Sequence, residues 1–168
     1  MKLPAIIFAL LICMLQSCIV SSKPNIDYFN QQKFTKGQME FVSINVPTFL
    51  TKSYVNASLK GDKDSKELRA IIKKIKKLKV LTIENANQET LAGFTQHLKD
   101  HRYQDWMTIN SDKDHINIQA IQDGDGIKNL MLVIQSDADL VLVDIKGRFT
   151  PEDISAIINQ RKSKQTQN

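Results

Sequence analysis

The stretch from Lys128 to Ile158 most constrains how this chain folds. Leu130–Ile134 and Leu140–Val143 are apolar runs too short for helices, and turn formers bound both. Each therefore reads as a strand. Ser136-Asp137-Ala138-Asp139 lies between them, and Asp and Ser hydrogen-bond their own backbone in tight turns. Gly147 is expected to end the second strand. Thr150 then caps a helix, with Pro151 at its first position and Asp153 three residues after the cap, close to a capping box. Both strands are apolar on both faces, so either helices cover both sides locally or part of the sheet meets a partner.

Upstream, His115–Ile121 alternates Ile116, Ile118 and Ala120 with His115, Asn117 and Gln119, the pattern of a sheet with one dry and one wet face. Tyr103–Asn110 is the strand before it, across the turn formers Ser111 to Asp114. Asp123-Gly124-Asp125-Gly126 is a hairpin turn into Leu130–Ile134. Val80–Ile83 reads as a buried strand. Met39–Val46 is extended, as a short strand or otherwise. Three helices are expected before the meander. The first starts near Pro47, with Phe49, Leu50, Tyr54, Val55 and Leu59 as its stripe. The second carries Leu68, Ile71, Ile72, Ile75 and Leu78 at helical spacing. The third spans about Glu89–His101, capped by Asn85 or Asn87, with Leu91, Phe94 and Leu98 inward. The order implies an α+β fold: a mostly antiparallel sheet of about five strands, with helices packed mainly on one face.

The chain has 168 residues, 24% charged and 42% hydrophobic, a globular composition with room for one core. Its cysteines are Cys13 and Cys18. With none beyond Cys18, the folded part has no disulfide, no thiol nucleophile and no Cys-based zinc site. Both cysteines fall in a leader-like segment. Met1-Lys2 is positive, and Ala5–Leu15 is an apolar run shorter than the roughly 20 residues that span a bilayer. Leu15-Gln16-Ser17-Cys18 resembles the bacterial lipobox. That resemblance implies cleavage before Cys18 and acylation of its thiol and new amino group. One acyl chain holds a protein only marginally, and several hold it stably. Ile19 follows the cysteine, so the Asp of inner-membrane retention is absent, and no acidic export run follows. The expectation is an outer-membrane lipoprotein facing the periplasm. Residues 1–17 are then the signal peptide, 18–37 a tether, 38–161 one domain, and 162–168 a polar tail.

The net charge of +5 suits an anionic partner or solubility. Lys73, Lys74, Lys76, Lys77 and Lys79 occupy much of the circumference that the apolar stripe of the second expected helix leaves. They form a solvated face or a contact surface for lipid headgroups, acidic glycans or an acidic protein. Nucleic acid does not fit an exported, anchored chain with 7% aromatic residues.

The basic amphipathic helix before VLTIEN, the strand meander and the closing GRFTPEDISAII together resemble the domain of unknown function 4252 family, over about Gln38 to Gln160. Its members are small exported bacterial proteins, many of them lipoproteins. The resemblance supplies no activity and no catalytic residues. It implies an association of some members with envelope-stress sigma-factor systems.

Other chemistry is thinly represented. His97 and His101 share a helix face, the spacing of a zinc pair, but HLKDH lacks the Glu that follows the first His in a zincin. A third ligand would fall to His115 or Asp100. Asp123–Gly126 lacks the other ligands and the Glu of a calcium loop. No serine lies in a Gly-x-Ser-x-Gly elbow, and no Gly-rich loop suits phosphate. Asp105 and Trp106 are candidates to line a pocket, with Trp106 more simply a core residue. Asp144 interrupts an apolar strand without a visible mate. The expectation is a non-enzymatic, membrane-attached module with an envelope protein partner, no cofactor, no metal and no catalytic residue. The alternatives are a metal-dependent hydrolase or metal-binding protein on His97, His101 and His115, and a structural lipoprotein contacting anionic envelope polymers through its lysines.

Overall fold

The computed structural model describes residues 20–31, 39–49, 53, 65–111 and 114–156. Cys18 and the polar tail lie outside these, as do Leu50, Tyr54, Val55 and Leu59. In chain order the elements are β1 (Val20–Ser21), α1 (Asp27–Gln31), β2 (Glu40–Val46), α2 (Ser65–Lys74), β3 (Ile75–Glu84), α3 (Gln88–Asp100), β4 (Gln104–Asn110), β5 (Asp114–Asp123), β6 (Gly126–Ser136), β7 (Asp139–Phe149) and α4 (residues 151–156). Thr48 and Phe49 are helical directly after Pro47, where the sequence places a helix start.

The described strands form one seven-stranded antiparallel sheet, ordered β1-β2-β3-β7-β6-β5-β4. The α+β class and the meander β4 to β7 are as expected. The sheet has more than five strands because Glu40–Val46 pairs with β3 along its whole length and β1 adds to it. The hairpin joining β6 and β7 turns at Asp137, φ +48°, in the left-handed region that Asp tolerates better than most residues.

Gly147 does not end β7, which continues to Phe149. It pairs with Ile75, and a Cβ there would overlap the Phe149 ring and stand 2.7 Å from the Lys74 carbonyl oxygen. This glycine serves close backbone approach inside a strand. Beyond it, the Thr150 amide donates to Asp153 Oδ2 at 2.7 Å and the Asp153 amide donates to Thr150 Oγ1 at 3.3 Å. This is the expected reciprocal cap. Asn87 caps α3, accepting from the Thr90 amide at 2.8 Å.

The second expected helix is shorter than its pattern. α2 stops at Lys74, and Ile75, Lys76, Lys77 and Leu78 belong to β3. The cause is a β-bulge. Ile75 pairs with Gly147, Lys77 with Lys146 and Leu78 with Ile145, so the register shifts by one residue between Ile75 and Lys77. An inserted residue lets side chains three apart reach the same sheet face. A bulged strand therefore imitates helical spacing here.

The segment expected as a tether, 18–37, is docked where it is described. Val20 pairs with Ile44, and Ser43 Oγ donates to the carbonyls of Ser21 at 3.1 Å and Lys23 at 2.7 Å. Ile26 and Phe29 are buried. Two aromatic residues in a short polar run read as a linker in sequence, and only the packed partners reveal their role. Phe29 stacks among Tyr28, Phe41 and Phe94, with centroids 4.9, 6.1 and 5.2 Å away.

Two apolar clusters hold the fold. One joins Ile26, Phe29 of α1, and Phe94 and Leu98 of α3 to Leu81, Ile83, Met131, Val133, Leu140 and Leu142. The other joins Ile71 of α2 and Ile154 of α4 to Ala120, Ile127, Leu130 and Phe149. Leu130 and Met131 are neighbours on β6 and enter different clusters, so the clusters lie on opposite sheet faces. The helices are thus divided between both faces, which answers the doubly apolar strands of the closing hairpin.

Candidate functional site: a basic groove where helix turns to strand

The end of α2, the start of β3, the end of β7 and the residue after Pro47 meet around an open groove of about 630 Å³. It is lined by Thr48, Lys73, Lys74, Ile75, Lys76 and Arg148. The abrupt change from α2 to β3 makes it. Ile75 is held beside Gly147, so Lys73 and Lys76, from helix and strand, border one hollow with Arg148. The C-terminal end of α2 also carries the negative pole of its dipole, which favours cations there.

The four cations differ in availability. Lys74 Nζ donates to Asp153 Oδ1 at 2.7 Å and to Oδ2 at 2.5 Å. Burial raises the Asp153 pKa, but Lys74 and the Thr150 amide outweigh it and hold the carboxyl below its ordinary value. Lys74 therefore ties α2 to α4. Lys73, Lys76 and Arg148 are exposed and make no ion pair among the described residues. Lys77 lies opposite Lys146 on β3 and does not line the groove. Of the five lysines picked out by sequence, three border the groove. Arg148 is the member that sequence reading missed; it sits more than seventy residues away, beside the Gly147 that marks the close approach. Its planar guanidinium offers a fork of donors suited to phosphate or carboxylate.

A second polar cluster is internal. Asp144 is 7% exposed, faces Lys79 across the β3–β7 pair, and its Oδ1 has no hydrogen-bond partner among the described residues. Burial pushes its pKa up, against the pull of Lys146, Lys79 and Lys77. Burial likewise lowers Lys79, whose ammonium donates to the Asn25 carbonyl and lies 4.0 Å from Asp27. The Tyr103 hydroxyl accepts from Asn129 at 3.3 Å, and burial raises its pKa. Asp144 is thus an interior residue with a cross-strand lysine, and not at the sheet edge.

His97 and His101 come together at the end of α3, with ring centroids 3.9 Å apart, while His115 stands on another element. His97 packs on Tyr28 at 4.9 Å, and burial lowers its pKa. His101 Nδ1 lies 2.8 Å from the His97 carbonyl. His115 is on β5, opposite Asn110 and Gln135. Among the described residues no group of three His, Cys, Asp or Glu side chains is placed to hold a metal ion. Asp123–Gly126 is a hairpin turn with Gly124 at φ +60°. Asp105 accepts from Gln119 at 2.6 Å and from Asn117 at 3.3 Å, and Trp106 packs against the second apolar cluster. No helix of the described residues is long and apolar enough to cross a membrane.

The geometry defines a small α+β domain: one antiparallel sheet, helices on both faces, and a cationic groove at the ends of its strands. Residues 34–157, well over half of the chain, match the family described as Domain of unknown function (DUF4252), and the chain belongs to that family. No curated protein and no solved structure matches it.

Proposed function

We propose that this protein is a non-enzymatic binding module of the bacterial envelope, acylated on Cys18 and facing the periplasm from the outer membrane. Its working surface is the groove bordered by Lys73, Lys76 and Arg148, and what it binds there is anionic. The observation that carries this reading is the convergence of cations from α2, β3 and β7 on one hollow, three of them without an ion pair among the described residues. Exposed single charges interact weakly, but several facing one anion act together. An accessory role in envelope-stress signalling or assembly is compatible with such a surface.

Retention of the purified full chain on heparin-agarose tests the groove. The triple variant Lys73→Glu, Lys76→Glu, Arg148→Glu should elute at clearly lower salt than the wild type, while Lys99→Glu on α3 should not move. Equal elution of the triple variant and the wild type would sink the groove as an anion site.

A further inference from the structure

We infer that the β1–β2 edge of the sheet is a membrane-docking surface, seated on the bilayer that holds Cys18. The inference rests on the lipid-anchor reading and names the anionic partner of the groove: the lipid headgroup layer.

Three large apolar side chains are conspicuously exposed among the described residues: Val20 at 53%, Val42 at 40% and Phe49 at 66%. All three belong to one edge. Val20 is on β1, Val42 on β2, and Phe49 follows β2 by three residues. Val20 pairs with Ile44, and side chains two apart on a strand share a face, so Val20, Val42 and Ile44 line one side of that edge. Ser21 and Ser43 take the other side, where Ser43 is fully buried. The edge therefore has a fixed apolar side and does not twist freely.

Chain length decides what covers it. Cys18 precedes Val20 by two residues, which span at most about 7 Å. Val20 is already hydrogen-bonded into the sheet. Acyl chains on Cys18 therefore enter the bilayer within that distance of Val20, and the domain has no slack to stand off. The opposite edge, β4, lies six strand spacings away, about 29 Å. Charge agrees with this placement. Thr48, beside Phe49, lines the basic groove, so Lys73, Lys76 and Arg148 flank the apolar contact and face anionic headgroups. Apolar side chains ringed by cations suit an interface of acyl chains and phosphates.

Nitroxide labelling of the full chain tests this. Leader cleavage removes Cys13 and acylation consumes the Cys18 thiol, so a single introduced cysteine takes the label. Val42→Cys, Phe49→Cys and Thr108→Cys variants are reconstituted in vesicles of phosphatidylethanolamine and phosphatidylglycerol. Their relaxation is measured with oxygen, which partitions into lipid, and with a water-soluble nickel chelate. The ratio of oxygen to nickel access should be several-fold higher at positions 42 and 49 than at position 108 on β4. Labels at 42 and 49 as open to nickel as that at 108 would overturn the docking. So would labels shielded from both reagents, since a protein would then cover the edge. The mass of the Cys18 peptide is read on the same samples. An acylated Cys18 with wet labels refutes the docking alone; a Cys18 without acyl chains refutes the anchor and the docking together.

Discussion

Phe29→Ala is the perturbation that most directly weighs the N-terminal segment. If residues 20–31 were a tether, removing one aromatic ring from them would cost almost nothing. The structure requires otherwise. Phe29 is 2% exposed and its ring lies within van der Waals range of Tyr28, Phe41 and Phe94. Returning that ring to water forfeits about 2 kcal/mol of transfer free energy. The vacated volume, roughly 100 Å³, adds about 2 kcal/mol at ~24 cal/mol per Å³ if the neighbours do not collapse into it. The total, about 4 kcal/mol, is a large share of the 5–15 kcal/mol that roughly bounds the stability of such a domain. Urea unfolding followed by far-UV circular dichroism would read it. With a slope of about 2 kcal/mol/M, the midpoint should fall by about 2 M at unchanged slope. A loss below about 1 kcal/mol, the range of ordinary surface substitutions, would refute the reasoning. α1 would then ride loosely on the domain.

Asp144→Asn should stabilise the protein at pH 7 and lose that advantage toward acid pH. Burial raises the folded pKa of Asp144 above its unfolded value of 3.8, so folding favours the protonated carboxyl, and stability falls as pH rises through the interval between the two values. Parallel urea titrations at pH 4 and pH 7 check the sign, and an Asn variant less stable at pH 7 would reverse it. Gly147→Ala should destabilise by about 1–3 kcal/mol, because its Cβ meets the Lys74 carbonyl and the Phe149 ring inside a paired strand; thermal unfolding measures it. Asn87→Ala removes the oxygen that accepts from the Thr90 amide and should cost about 1 kcal/mol, with the loss of amide-exchange protection greatest in the first turn of α3.

Sequence alone determined the features whose physics is local. An Asn cap before α3, which the structure places at Asn87 of the two candidates Asn85 and Asn87, the reciprocal Thr150–Asp153 cap, the turns at Asp123–Gly126 and Ser136–Asp139 and the meander between them depend on residues within a few positions of one another, and all are present. The α+β class followed from their order. Tertiary structure decided what depends on distant partners. Ile75 and Leu78 carry helical spacing, and only pairing with β7 across a bulge shows that they belong to a strand. Tyr28 and Phe29 look like linker residues until Phe94 and Phe41 stand against them. The groove is the same case. Its lysines were legible as a charge run, but the run does not say that Lys74 is taken by Asp153 or that Arg148 takes a place beside Lys73 and Lys76. Those assignments come from inserting β7 between β3 and β6, which joins residues more than seventy positions apart. Periodicity in a sequence reports which face a residue can take; the chain that will meet that face is set only when the sheet closes.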